Sequence, residues 1–276
     1  MAQAAAIAQP RLALAAAGGA PLLGNASTLG MRLGSTPRVA LQLRGSGVGV
    51  TLPAVGAGNG HTSLATSLAA DGAAALYSGM SPAPTVGGVG ALDLLASLGV
   101  VHGGSGFSGT PATFGIGARV GVLRESFTAP GITLSAMLRR TGGTTYTAVT
   151  DSASGSFNHI SDVALRATVG KRFLALNTLI GAGLDRTSGE VSILPPPCPP
   201  GAICAAVLPT PTVAPLTQTR TVFFGDLTWT SLVFNAVAEL GWQRGGSPAV
   251  PISPTGYEPL VRKGALFGSL GLRLTI

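Results

Sequence analysis

Along much of the chain, apolar side chains recur at every second position. In the closing segment Leu266, Gly268, Leu270, Leu272, Leu274 and Ile276 alternate with Phe267, Ser269, Gly271, Arg273 and Thr275. The same period runs through Phe114, Ile116, Ala118, Val120 and Val122, and through Ile132, Leu134, Ala136 and Leu138. It returns in Val163, Leu165, Ala167 and Val169, and in Phe234, Ala236, Ala238, Leu240 and Trp242. A period of two is the mark of a strand with one apolar face. Looser alternation covers 38–44, 91–101, 172–184 and 217–227, with weaker candidates at 11–18, 27–34 and 66–78. The opposite set is mostly Gly, Ala, Ser and Thr with single charges. A water-facing set would be dense in Lys, Glu and Thr, so this face suits a crowded interior better.

Composition turns this pattern into a fold class. Charged residues make up only 10% of the 276 residues and the mean hydropathy is +0.46, both closer to membrane than to soluble proteins. A transmembrane helix needs roughly 18 or more consecutive apolar residues. The uncharged stretch 72–92 is broken by Ser78, Pro82, Pro84 and Thr85. The chain also carries 41 Gly and 20 Pro, which weaken helix interiors. Membrane-like content without a membrane helix points to a closed barrel, which satisfies every backbone group in lipid by the other route. The prediction is an all-β, antiparallel, up-and-down transmembrane β-barrel, a single domain over 11–276. A soluble secreted β-sandwich is the alternative that alternation alone leaves open.

Connection lengths give an independent count. Reading back from the C-terminus, 244–263 is long, 228–230 short, 185–216 long, Lys171 a tight turn, 142–159 long and 124–131 shorter. Membrane barrels have short periplasmic turns and longer outer loops. The same parity continues through a loop at 102–110, a turn near 80–85, a loop at 51–65 and a turn at 34–37. It ends on a first strand at Arg11–Ala17. The total is about twelve strands, with about ten as the other count.

With these features the chain resembles bacterial outer-membrane β-barrel proteins over essentially its full length. The closing strand is similar to the C-terminal signal by which such proteins are recognised for insertion, with Leu274 and Ile276 where aromatic residues are favoured. The resemblance implies that Leu270, Leu272, Leu274 and Ile276 face lipid while Arg273 faces the lumen. It also implies a bacterial outer-membrane location, with membrane lipid, lipopolysaccharide and the barrel-insertion machinery as partners. Aromatic girdles are thinly provided for. Trp229, Trp242, Phe173 and Tyr257 lie near predicted strand ends, but aromatic residues total 5%.

The opening MAQAAAIAQP has no basic start and too short an apolar run for a full secretory signal. Ala6-Ile7-Ala8 nonetheless has the form of an export cleavage site, so 1–10 reads as a residual signal segment. Cys198 and Cys204 are the only cysteines and stand in PPPCPPGAIC, inside the longest loop. That placement reads as a local disulfide in an oxidising compartment. A zinc site would need about four ligands, and no His or acid stands beside them.

Charges on the inward set pair by hairpin arithmetic, because opposed residues are equidistant from the loop centre. Asp93 and Arg119 are symmetric about position 106, and Arg139 and Asp162 about the 142–159 loop. Glu239 and Arg273 come near enough to opposition for a long arginine to bridge. Arg44, Arg166 and Arg220 have no evident acids and supply a positive excess. Paired charges can neutralise a narrow lumen or set ion preference in a pore. Inward Gly115, Gly117, Gly121, Gly181, Gly183, Gly241 and Gly271 favour some open space.

Other classes fit poorly. The net charge of +7 is scattered, almost all of it Arg, without the basic-aromatic interleaving of nucleic-acid platforms. His61, His102 and His159 fall at predicted loop ends and are explained equally well by polar loop positions as by a metal site. Asn158, His159 and Ser161 have the residue types of a hydrolase but no supporting motif. No cofactor or enzymatic activity is implied. The expected function is a narrow passive channel for small solutes or ions, with anion preference. The alternative is a filled-lumen structural or adhesive barrel that presents its outer loops. The oligomeric state is left open.

Overall fold

The computed structural model describes residues 2–30, 37–52, 61–82, 87–147, 154–194, 211–231, 233–246 and 262–276. A helix, α1 (Ala2–Ala17), precedes strands β1 (Val39–Leu52), β2 (His61–Tyr77), β3 (Leu92–His102), β4 (Phe107–Ser108), β5 (Ala112–Leu123) and β6 (Gly131–Thr141). There follow β7 (Thr144–Thr147), β8 (Ser154–Phe173), β9 (Leu176–Leu194), β10 (Thr212–Ser231), β11 (Phe234–Gln243) and β12 (Ala265–Thr275). Ten strands close into an antiparallel barrel, since β1 pairs with both β2 and β12, and β8 with both β6 and β9. The two short strands β4 and β7 pair with each other, and β7 lies along the start of β8. The barrel therefore has the lower of the two expected strand counts; the count of twelve takes 11–18 and 27–34 as strands and does not foresee β4 and β7.

Alternation decides which way each side chain points. On β12, Leu266, Leu270 and Leu272 are 61%, 68% and 62% exposed, while Phe267, Ser269 and Arg273 are buried. Leu274 and Ile276 continue the outward set. Leu41, Leu68, Leu98, Ile116, Leu138, Leu165, Ile180, Leu227 and Leu240 carry the same apolar face round the other barrel strands. From Leu266 to Ile276 the outward set covers about 33 Å of strand, or about 25 Å along the axis at a tilt of roughly 40°, the height of a membrane barrel's apolar band. Exposed Tyr77, Phe173, Trp229 and Phe234 stand near the strand ends at one rim, with Phe114 and Trp242 toward the other. Tyr257 lies outside the described residues.

One end carries the long connections 53–60, 103–111, 142–153, 195–211 and 244–264, and is called here the loop end. The other, the turn end, carries 78–91, 124–130, 174–175 and 232–233, with the close of β12 beside the opening of β1. The tight turn expected at Lys171 falls at Leu174-Ala175, because β8 stays paired through Phe173; Leu174 takes a left-handed φ of 55°. The expected 185–216 loop shrinks to 195–211, since β9 and β10 run 19 and 20 residues and remain paired beyond β11.

The largest departure is at the N-terminus. The expected first strand at Arg11–Ala17 does not form, and neither does strand at 27–30. Residues 2–17, including the Ala6-Ile7-Ala8 triplet read as an export cleavage site, make a single helix inside the barrel.

Candidate functional site: the occupied lumen

Alanine has the highest helix propensity, and the AQAAAIAQPRLALAAA segment has no polar stripe. Such a helix is stable only if surrounded on all sides. Ala4–Ala8 and Leu12–Ala17 are all buried, and their small side chains allow a helix to pass through a narrow barrel. At the loop end Ala4, Ala5 and Ala8 meet Tyr146, Gly155 and Phe157. Tyr146 packs on Phe107 with ring centroids 5.1 Å apart, and burial raises its phenol above the ordinary value.

The barrel wall makes good what the helix lacks. Pro10 has no N–H to offer the carbonyl one turn back, and Gln218 Nε2 on β10 donates to that carbonyl, Ala6 O, at 2.7 Å. Gln9 Nε2 donates to Leu216 O at 3.2 Å, and Arg11 to Gln243 Oε1 at 3.1 Å and Lys263 O at 2.6 Å. The helix ends at Gly18, whose φ of 62° and bond from its N–H to Leu14 O form a left-handed cap. Arg44 donates to Ala16 O and Ala17 O from one side, and Arg166 to Gly18 O and Gly19 O from the other. Cations at a helix C-terminus are favoured by its dipole.

Beyond the cap the chain descends to the turn end through bends at 19–22 and a turn at Leu23-Gly24, held by its backbone. Glu239 accepts from Gly19 N and Ala20 N at 2.9 and 2.7 Å. Leu23 N donates to Gln42 Oε1, and Arg273 donates to Leu23 O. Gly24 N donates to Asp226 Oδ2 at 2.6 Å, and Gly24 O accepts from Asn177 and Thr228. Arg119 donates to Asn25 O at 3.0 Å, and Leu29 N to Asp93.

The inward charges predicted from sequence thus do more than neutralise each other. Asp93 and Arg119 are cross-strand partners with a 2.7 Å ion pair, and both also bind the threaded segment. Arg139 and Asp162 face each other at 3.9 Å. Glu239 and Arg273 do not pair. The β11–β12 register sets Glu239 against Ser269 and Arg273 against Asn235, because the loop between the strands is not centred where symmetry would put it. Arg44 and Arg166 are not without acids: Asp71 lies 3.1 Å from Arg44, and Asp185 2.6 Å from Arg166. Arg220 stands opposite Asp185 across β9 and β10 and donates to Gln218 at 2.9 Å. Hairpin arithmetic does not find Asp71 and Asp185, because each contact is diagonal, two residues off direct opposition, and Asp185 lies one residue beyond the alternation at 172–184.

The inward glycines do not leave space open. A β-carbon on Gly181 would lie 2.3 Å from the Phe224 ring, and one on Gly241 2.2 Å from that of Phe267. The gaps at Gly115 and Gly117 are taken by Arg139 and Met137, at Gly121 by Thr28, at Gly183 by Arg166 and at Gly271 by Leu23.

Among the described residues no three His, Cys, Asp or Glu side chains gather as a metal site. His102 pairs with Thr66 at the end of β3, His61 opens β2, and Asn158, His159 and Ser161 lie on the loop-end part of β8. Cys198 and Cys204 lie outside the described residues.

No family model and no curated protein matches the sequence. Solved structures do match it loosely. The translocator domain of the autotransporter NalP from Neisseria meningitidis shares 11% identity at a TM-score of 0.39, over 86% of this chain and 88% of that one. The transport unit of the autotransporter AIDA-I from Escherichia coli shares 8% at 0.40, over 99% and 98%. The outer-membrane protease OmpT from Escherichia coli shares 9% at 0.39, over 87% and 96%. All three are outer-membrane barrels. This chain is likewise a closed antiparallel barrel, apolar outside and polar within.

Proposed function

We propose that the protein is an outer-membrane barrel that holds its own N-terminal polypeptide through the lumen, in the manner of a translocator or plugged anchor. One observation carries this reading. From Ala15 to Leu29 the wall binds main-chain N–H and C=O groups, through Ser67, Arg44, Arg166, Glu239, Gln42, Arg273, Asp226, Asn177, Arg119 and Asp93. An interior shaped for backbone amides is an interior for polypeptide, not for a free solute. The direction is defined too. The helix enters at the loop end, and the chain reaches the turn end before it turns into β1, so anything joined ahead of Ala2 emerges among the loops. With the loops outward, the barrel would present that segment, and lipopolysaccharide would meet the loop rim. Two matched structures are described as autotransporter translocator units, but the reading rests on the lumen rather than on that likeness.

The passive channel expected from sequence requires the segment to leave the lumen. Single-channel conductance in planar bilayers tests the difference. The full chain, refolded and inserted, is expected to stay closed, while a variant lacking 2–24 conducts. Equal conductance of the two proteins would overturn the plugged reading.

A further inference from the structure

We infer a binding site for a multivalent, phosphate-type oxyanion at the turn end of the barrel, beside the exit of the threaded segment. A recess of about 490 Å3 opens there, between residues 25–30 and the ends of β1, β5, β8, β11 and β12. Arg38, Arg124, Arg172 and Arg273 line it, against Glu125 as the acid. Deeper in the lumen Arg44, Arg119 and Arg166 are each met by an aspartate.

Glu125 offsets one of the four positive charges, and its carboxylate accepts from the backbone N–H of Arg172. Arg124 is engaged at one nitrogen with Ser78 O at 2.8 Å. Arg273 is 6% exposed, donates to Leu23 O, and keeps its Nε without a partner. A buried guanidinium donor left unmatched is costly. Among the described residues, the guanidinium groups of Arg38 and Arg172 have no hydrogen-bonded or ion-paired partner. The planar fork of Arg matches phosphate oxygens two at a time, and several forks around one recess suit an anion of charge two or more. Hydroxyl groups of Ser27 and Thr28 line the same wall. The oxyanion can come from solution or from a lipid headgroup, and the two sources share this chemistry.

The test uses the full chain refolded in neutral detergent, titrated calorimetrically with sodium pyrophosphate at fixed ionic strength. Saturable binding is expected, weakened about tenfold or more in R38Q/R172Q, whose side chains do not hold the threaded segment. The exposed Arg140 lies toward the loop end, so R140Q should bind as the wild type. A second arm compares nanodiscs of phosphatidylcholine and phosphatidylglycerol. Weaker pyrophosphate binding in phosphatidylglycerol identifies a headgroup as the competing occupant, and equal binding identifies a soluble anion. No saturable binding in detergent, unchanged affinity in R38Q/R172Q, or an equal loss in R140Q would each overturn the site.

Discussion

Replacing Glu239 with alanine removes the acceptor of Gly19 N–H at 2.9 Å, Ala20 N–H at 2.7 Å and the Ser269 hydroxyl at 2.8 Å. Ser269 can rotate toward another acceptor, but the two amides cannot, because Gly18 ahead of them is fixed as the helix cap. Hydrogen bonds to a charged group contribute about 1.5–3 kcal/mol each, and a buried donor left unmatched costs about 1–3 kcal/mol. Water entering the space left by the side chain recovers part of this. The net loss in holding the segment is then about 3–5 kcal/mol, a shift of roughly two to three and a half orders of magnitude in the docked-to-released ratio. Amide hydrogen exchange reads that ratio residue by residue. In Glu239→Ala, protection at Gly19 and Ala20 is expected to fall by about a hundredfold or more, while the paired amides of β9 and β10 keep theirs. Glu239→Gln, which retains one acceptor oxygen, should fall between the two. Bilayer recordings of the same protein should show a higher open probability. Protection at Gly19 and Ala20 within about threefold of the wild type would refute the reasoning, since bonds worth this much cannot vanish unnoticed.

Gln218→Leu should lower the unfolding midpoint by the equivalent of about 1–2 kcal/mol or more by stranding Ala6 O and removing an acceptor of Arg220, and Pro10→Ala should recover only the Ala6 part by restoring the helical N–H; a double-mutant cycle without coupling would contradict this. Gly24→Ala forces a side chain onto a residue at φ 66° and puts its β-carbon 1.9 Å from Thr228 Oγ1. A loss of about 2 kcal/mol or more in urea unfolding is expected, only partly relieved by Thr228→Ala, because the backbone strain remains. Arg119→Met leaves Asp93 buried without its ion and should cost about 3–5 kcal/mol, while adding Asp93→Leu should recover part of it; a double variant worse than the single would sink that account. Leu270→Arg on the lipid face should destabilise the inserted barrel by about 2–4 kcal/mol in a lipid-vesicle folding assay, and no change would place Leu270 outside the apolar band.

Strand faces are legible in the sequence because a period of two is a local property of the chain. Once Leu270 is outward, Arg273 is inward. Hairpin register was nearly as local where the loop is symmetric, which is why counting from position 106 sets Asp93 across from Arg119. It failed across 244–263, where an uneven loop moved Arg273 four residues from Glu239. The inward glycines illustrate the next level. Sequence shows a missing side chain at Gly181, but only the neighbouring strand shows that the Phe224 ring fills the gap.

The sequence by itself determined the barrel: an apolar face on alternate residues, punctuated by turns, with too few charges and no span long enough for a membrane helix. Tertiary structure alone decided what the barrel contains. An Ala-rich stretch without an amphipathic stripe carries no local sign of its surroundings, so AQAAAIAQPRLALAAA reads as a signal remnant running into a weak strand. Its helix is stable because Gln218, Arg44, Arg166 and Glu239, on strands distant in the chain, satisfy the backbone groups that Pro10 and the Gly18 cap leave unpaired.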